Sequence, residues 1–252
     1  MAFALPKSRL FIGALGFLIL NAVSIGIYYK PPNLEGGSAL KIYQKNLYVK
    51  GFNIEALKTD ILRTNPDFIT FQEVHLQGVS RANLDLITDL GSEYPHQLIC
   101  PDAHISGVSM LSRWPILKTH CHNDGGFGAI KVQAPSGSLW IVSMHLFWPY
   151  PHGQADQVQR ALKGIKTLKG PKIIAGDFNM VPWSRSVKSI ERASDTHIAR
   201  PIIHSFDLPF IGLPIPIDHV LLPKGATAKT ERRGKLGSDH FGVLVNFTLP
   251  AP

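Results

Sequence analysis

Nine short runs rich in β-branched and aromatic residues constrain the fold of this chain more than any other feature of its sequence. Each run is bounded by Gly, Pro, Asn or Asp, as strands commonly are. The runs are LKIYQKN, DFITFQEV, YPHQLIC, GVSMLS, AIKVQA, LWIVSMH, KIIAGDF, IDHVLL and FGVLVNFTL. They are too short for helices of ordinary length, so we predict nine strands.

Helical spacing of apolar residues marks four stretches between these strands, at residues 53–64, 79–90, 154–168 and 183–192. Several strands follow one another with only a short turn, so a purely parallel sheet of βαβ units fits poorly. The segment APSG between two of the runs is a hairpin signal. The sequence therefore predicts an α/β fold in which two mostly antiparallel or mixed sheets face each other and carry helices outside.

The segment IIAGDFNMVP, residues 173 to 182, joins a buried strand to a polar turn. Alternation along an extended chain would put Asp177 and Asn179 on one side and turn Phe178 into the packing. We therefore expect the two polar groups to face the same small region.

Polar residues end several other predicted strands. A single loop carboxylate is usually a turn or cap residue, but a set rich in Asp, Glu, His and Asn indicates a constellation held at a rigid sheet edge. Besides the segment above, the set comprises Asn46, Gln72, Glu73, His145, Asp218, His219, Ser238, Asp239 and His240.

These residue types favour one kind of chemistry. Carboxylate and amide oxygens suit a hard cation, Mg²⁺ first, with Mn²⁺ or Ca²⁺ as alternatives. The sequence has neither H-E-x-x-H nor a Cys cluster for zinc, neither a G-x-S-x-G elbow nor a nucleotide P-loop. Histidines supply acid, base or phosphate-stabilising groups near neutral pH. Metal-assisted attack of water on a phosphate ester is the chemistry that remains.

The ordered motifs KIYQKN, FQEV, SGVSMLSRWPI, SMHL, AGDFNMVP, PIDHVLL and GSDHFGV resemble the endonuclease/exonuclease/phosphatase superfamily over residues 40 to 248. Its members include deoxyribonuclease I, abasic-site endonucleases, neutral sphingomyelinases and inositol-polyphosphate phosphatases. GDFN followed by IDHV and SDH is the most specific part. The resemblance implies a four-layered α/β sandwich with its active site at one edge of the two sheets.

The resemblance also implies a metal site. Glu73 would be the main Mg²⁺ ligand, with Asn46 beside it. Asp239 would lie close to the metal and contact it either directly or through a water molecule. Tyr48 stands where the abasic-site endonucleases carry an acidic residue, which leaves open whether one metal or two would bind.

The same resemblance assigns the reacting groups. Asp177 would orient or deprotonate the attacking water, and Asn179 would hold that water or the phosphate. His240 would contact the scissile phosphate as base or as electrostatic stabiliser, with Asp218 fixing its ring. His145 is a candidate general acid for the leaving oxygen.

The N-terminal segment of residues 10 to 27 has no charged residue, with Lys7 and Arg9 before it and Lys30 after it. Eighteen such residues approach the length that spans a bilayer, so we predict an uncleaved signal anchor, with a cleaved signal peptide as the rival. The charges place the rest of a single-pass membrane protein on the non-cytoplasmic side; cleavage would make it secreted. The predicted units are an anchor at 1–30, a linker at 31–38 and a catalytic domain at 39–252.

The balance of 26 Lys and Arg against 18 Asp and Glu gives a net charge of +8, which favours an anionic partner. We expect an anionic phosphate-ester substrate, with nucleic acid favoured over a phospholipid, sphingomyelin or inositol-phosphate headgroup. No obligate protein partner is evident. A catalytically inactive, membrane-tethered binding module is the rival class. Cys100 and Cys121 fit two separate thiols better than a disulfide, although an oxidising compartment would let them pair.

Overall fold

The computed structural model of the chain describes residues 22–23, 25–30, 40–48, 51–74, 81–101 and 107–250. Its helices are α1 (Ile54–Thr64), α2 (Arg81–Asp89), α3 (Gln154–Thr167) and α4 (Arg185–Ser194). Its strands are β1 (Leu40–Asn46), β2 (Phe68–Gln72), β3 (His96–Cys100), β4 (Val108–Ser112), β5 (Ile116–His122), β6 (Phe127–Ala134), β7 (Gly137–His145), β8 (Lys172–Asp177), β9 (Thr196–Ile198), β10 (Phe206–Asp207), β11 (Pro214–Ile215), β12 (Asp218–Pro223), β13 (Thr227–Arg232) and β14 (Val243–Thr248).

Two six-stranded sheets contain most of these strands. The order is β13-β14-β1-β2-β4-β3 in the first sheet and β5-β6-β7-β8-β12-β9 in the second. The central pairs β1–β2 and β7–β8 are parallel, and the other neighbours are antiparallel. The predicted mixed sheets are therefore confirmed.

Three apolar clusters define four layers. One cluster fills the space between the sheets and includes Ile42, Met110 and Ile130. A second packs the outer face of the second sheet against α3 and α4, and a third packs the outer face of the first sheet against α1 and α2. Neighbouring residues of β1 alternate accordingly, since Ile42 faces the inter-sheet cluster and Tyr43 faces the helices. This is the predicted four-layered sandwich.

Local capping fixes where two helices begin. The side chain of Asn53 accepts the N–H of Ala56 at the start of α1, and Ser184 accepts the N–H of Val187 at the start of α4. Such caps satisfy an amide that has no partner within the helix. They explain why these helices begin one or two residues inside the predicted ranges.

The prediction of a single-pass membrane protein is wrong for the residues that the structure describes. Within the part of the chain that the structure describes, no helix is both long enough and apolar enough to cross a bilayer. Residues 1–21 of the predicted anchor and all of the predicted linker at 31–38 lie outside the described residues.

The preference for two separate thiols is also corrected, because Cys100 and Cys121 form a disulfide. Cys100 ends β3 and Cys121 lies in β5, and these strands lie at the edges of different sheets. The bond therefore joins the two sheets along one side of the sandwich. Spacing along the chain could not show this, since the two edges become neighbours only when the sheets stack.

Candidate active site

The predicted site residues meet at one edge of the sandwich because of strand direction. The central parallel strands β1, β2, β7 and β8 all run toward this edge, and the antiparallel strands β12 and β14 start from it. Asn46, His145 and Asp177 are the last residues of their strands, and Asp218 is the first of β12. Glu73 follows β2, and His240 precedes β14.

Asp177 lies at the centre of the group and is 1% exposed. Its Oδ2 is 3.1 Å from Asn46 Nδ2 and 3.7 Å from the Nε2 atoms of both His145 and His240. Its Oδ1 accepts the backbone N–H of Asn179 at 2.8 Å. One carboxylate therefore contacts donors from both sheets.

His240 is held by Asp218, whose Oδ2 accepts a hydrogen bond from His240 Nδ1 at 2.8 Å. The tautomer is assigned from this contact, which leaves Nε2 on the side of Asp177. The ring of Phe206 packs 4.7 Å from the His240 ring, measured between centroids. The imidazole is thus fixed by one carboxylate and one aromatic ring.

Asp218 is held in turn by a buried amide chain that crosses between the sheets. Gln44 Nε2 donates to Asp218 Oδ1 at 2.8 Å and to Gln72 Oε1 at 2.7 Å. Gln72 Nε2 donates to Ser143 Oγ at 2.9 Å, and that hydroxyl donates to the carbonyl of Phe71. Gln44 and Ser143 were not predicted as site residues, because neither ends a strand.

Burial and neighbouring charges shift the pKa values of the central pair. Burial, followed by the charge of Asp218, raises the pKa of Asp177. Burial opposes protonation of His240, but the charges of Asp218 and Asp177 outweigh it and raise the pKa of His240. The site therefore favours an imidazolium at His240 beside a carboxylate with increased affinity for a proton.

Asn179 reaches Asp177 by a different backbone route from the one that alternation predicted. Strand β8 ends at Asp177, and Asn179 adopts a left-handed backbone with φ of 48°. Its N–H bonds to Asp177, and its Nδ2 donates to the carbonyl of Leu146 at 2.7 Å. Phe178 is fully buried, as expected. A tight turn, rather than an extended strand, brings the two polar groups together.

A divalent cation fits the carboxylate side of this group. Glu73 follows its strand with a left-handed φ of 57°, a conformation that few non-glycine residues adopt. Asp239 Oδ1 is buried and has no hydrogen-bond partner among the described residues, although Asp239 lines the same cleft as Glu73. Two oxygen donors of this kind match the ligands of Mg²⁺.

Asn46 takes a bridging position between the two carboxylates. Its Nδ2 donates to Glu73 Oε1 at 3.0 Å as well as to Asp177, while its Oδ1 accepts the N–H of Tyr48 at 2.9 Å. In this arrangement the amide oxygen points to the backbone. Asp177, Asp218 and His240 also offer ligand atoms within 4.8 Å of one another, but the hydrogen bond between His240 and Asp218 already occupies two of those side chains.

A cleft of about 640 Å³ opens above these residues. Besides these polar residues, its lining includes Phe147, Trp148, His152 and Phe206. The rings of Trp148 and Phe206 lie 5.8 Å apart, and Trp148 is 38% exposed. The aromatic stretch FWPYPH, which begins two residues after His145, was the available sequence signal for Phe147, Trp148 and His152.

Comparison with known sequences agrees with this geometry. The model of the Endonuclease/Exonuclease/phosphatase family matches residues 46–240. A UPF0294 protein of Vibrio vulnificus strain YJ016 is 31% identical over 115 residues, which are 44% of this chain and 40% of that protein. Its counterpart in strain CMCP6 matches equally. The match therefore spans less than half the length of these curated relatives.

Solved structures share the fold. Truncated TDP2 from Caenorhabditis elegans has a TM-score of 0.68 at 16% identity, covering 84% of this chain and 99% of that one. Sphingomyelinase C from Streptomyces griseocarneus has a TM-score of 0.63 at 17% identity, covering 83% and 99%. Beta toxin from Staphylococcus aureus, in a structure with bound magnesium ions, has a TM-score of 0.62 at 15% identity, covering 82% and 99%. At these identities the likeness concerns the fold alone.

Proposed function

The chain belongs to the endonuclease/exonuclease/phosphatase family, and on that premise we propose that it is a Mg²⁺-dependent phosphodiesterase that cleaves nucleic acid by attack of water on phosphorus. The observation that carries the proposal is the position of Asp177. A buried carboxylate within 3.7 Å of two imidazole nitrogens, beside a histidine–aspartate pair, is a proton-transfer arrangement.

Glu73 and Asp239 are the residues that would hold the metal. Mg²⁺ bound there supplies Lewis-acid stabilisation of charge on the phosphate oxygens. Asn46 keeps Glu73 and Asp177 at a fixed separation by donating to both carboxylates.

Asp177 accepts the proton of the attacking water. The raised pKa of Asp177 increases the affinity of its carboxylate for that proton. The N–H of Asn179 holds Oδ1, so Oδ2 is the oxygen that faces the water. Asn179 Oδ1 is buried without a partner among the described residues, which supports a role for it in accepting a hydrogen from the same water.

His240 acts as a cation at the phosphate rather than as the base. Asp218 holds its Nδ1–H and raises the pKa of the ring, so Nε2–H can donate to a phosphate oxygen. His145, whose Nε2 lies 3.7 Å from Asp177 Oδ2, donates a proton to the leaving oxygen. The two histidines thereby divide charge stabilisation and acid catalysis.

A nucleic-acid substrate is supported by charge and by the aromatic wall. The net charge of +8 favours a polyanion. The ring of Trp148, which lines the cleft and is 38% exposed, offers a face on which a base can stack.

Hydrolysis of bis-p-nitrophenyl phosphate in the presence of Mg²⁺ tests the proposed chemistry. We expect turnover that EDTA abolishes and that falls by about 10³-fold or more in Asp177→Ala and in His240→Ala. Asp89→Ala is the control, because Asp89 forms a surface ion pair with Lys58. Folded protein without activity in any divalent metal, or near-normal rates in either variant, would contradict the proposal and favour a binding module.

One observation favours a second candidate, a phosphodiester that carries an apolar group, such as a phospholipid headgroup. The hairpin formed by β10 and β11 begins at Phe206 in the cleft wall and exposes Phe210, Ile211 and Leu213 at its tip. A comparison of hydrolysis rates decides between the candidates. The substrates are plasmid DNA, single-stranded DNA, RNA, sphingomyelin micelles and inositol phosphates. Ile211→Ser would lower the rate on the micelles alone if the second candidate is correct.

A further inference from the structure

Lys45 is a fully buried lysine that none of the proposed catalytic steps uses. It lies on the outer face of β1 between Tyr43 and Leu47, which are both fully buried. An ammonium taken out of water in such surroundings destabilises a protein by several kcal/mol unless it is well paired. The contacts of Lys45 must therefore offset the free-energy cost of burying its ammonium.

Three backbone carbonyls surround the ammonium. Lys45 Nζ donates to the carbonyl oxygens of His240 at 2.5 Å, Lys235 at 2.8 Å and Gly234 at 3.4 Å. These three acceptors match the three N–H donors of a charged ammonium; a neutral amine has fewer donors. All three carbonyls belong to residues 233–242, the connection from β13 to β14, called here the site loop.

The site loop carries both Asp239 and His240 to the cleft. Its two ends are close, because Arg233 N–H donates to the carbonyl of Gly242 at 2.8 Å. Within it, Ser238 Oγ donates to the carbonyl of Asn46 at 2.8 Å. The middle of the site loop thus folds around the side chain of Lys45. Lys45 is the residue directly before Asn46 in β1.

We propose that Lys45 is a positioning residue, whose ammonium gathers the carbonyls of the site loop and so sets where Asp239 and His240 stand in the cleft. The catalytic consequence rests on the proposed phosphodiesterase function. The ordering of the site loop by Lys45 does not depend on that function, and it can be measured without any substrate.

Lys45→Met tests this, because methionine retains an apolar side chain of similar length and removes all three donors. A displacement of catalytic groups by about 1 Å can reduce turnover by roughly 10²-fold. On bis-p-nitrophenyl phosphate with Mg²⁺, we therefore expect kcat per folded molecule to fall by about 10- to 100-fold with little change in KM. Amide hydrogen exchange in residues 234–242 should accelerate, while exchange in β6 and β7 stays as in the wild type.

Lys41→Met is the matched control. Lys41 lies on the same strand, and its Nζ donates to the carbonyl of Thr64, outside the site loop. We expect wild-type kcat and wild-type exchange in the site loop. Lys45→Gln covers the case in which the methionine variant fails to fold, since two of the three donors remain and kcat should lie between the methionine variant and the wild type.

Wild-type kcat together with wild-type exchange of residues 234–242 in Lys45→Met, or in Lys45→Gln if only that variant folds, would overturn the inference. Acceleration of exchange throughout both sheets with normal kcat per folded molecule would also overturn it, because that outcome describes stability without positioning. If the wild type hydrolyses no phosphodiester, the proposed function fails, while exchange in the site loop still decides the role of Lys45.

Discussion

Asp60 provides a quantitative test of how the outer layer of the first sheet is held together. It lies in α1, is 6% exposed, and accepts hydrogen bonds from Tyr43, Arg63 and Arg233. Burial alone would raise the pKa of Asp60, but the hydrogen bonds of Arg233, Arg63 and Tyr43 outweigh it and lower the pKa to about 2. Asp60→Asn removes the charge and keeps the shape of the side chain.

The magnitude follows from that pKa. A fall from 3.8 to about 2 corresponds to roughly 2.5 kcal/mol of stability. The side chain of Arg63 is 71% exposed, so solvent screening reduces the total to about 1.5 kcal/mol. Because the folded pKa of Asp60 is lowered, this stability is present above the unfolded pKa near 4 and is lost as the pH falls toward 2.

Urea unfolding followed by tryptophan fluorescence measures the effect. At pH 7 we expect Asp60→Asn to be less stable than the wild type by about 1.5 kcal/mol, and the gap to narrow between pH 4 and pH 2. Asp89→Asn, at an exposed ion pair, should unfold at the wild-type urea concentration. A wild-type midpoint for Asp60→Asn at pH 7, or a gap independent of pH, would refute the reasoning.

Two further substitutions test the sheets themselves. In Gly176→Ala, the new Cβ would lie 1.9 Å from the carbonyl oxygen of Met144 in the neighbouring strand, so we expect a loss of about 3 kcal/mol in urea unfolding; an unchanged midpoint would show that β7 and β8 can separate without penalty. In the double variant Cys100→Ser with Cys121→Ser, the lost link between residues 21 apart should cost about 3 kcal/mol. Its melting temperature should match that of the reduced wild type, and a match to the oxidised wild type would contradict this.

The nine predicted strands and four predicted helices are present, because each combines the correct apolar period with turn residues at its ends. Five strands were not predicted: β5, β9 and β13 lie at sheet edges, and β10 and β11 form a separate two-stranded sheet. In β13 buried and exposed residues alternate within the polar stretch TAKTER. An edge strand with so few apolar residues has no hydrophobic pattern to distinguish it from a loop.

The polar ends of the strands indicated which residues would meet, since chain direction and sheet edge follow from the pattern. The buried side chains that hold these site residues in position could not be predicted in the same way. Gln44 and Lys45 lie in the middle of an ordinary strand sequence, and their partners Asp218 and His240 are 174 and 195 residues away. Only the stacking of two sheets and the path of a loop decide that this glutamine and this lysine are buried.

The candidate site residues are divided between the two sheets, with Asn46 and Glu73 at the edge of one and His145 and Asp177 at the edge of the other. The distance from Asn46 to Asp177 is therefore set by the thickness of the apolar layer between the sheets. Met110 and Ile130 lie in that layer. A change of volume at either position should alter the distance between these side chains as well as the free energy of unfolding. Under the proposed function, each methyl group gained or lost in this core would therefore adjust the reaction as well as the stability.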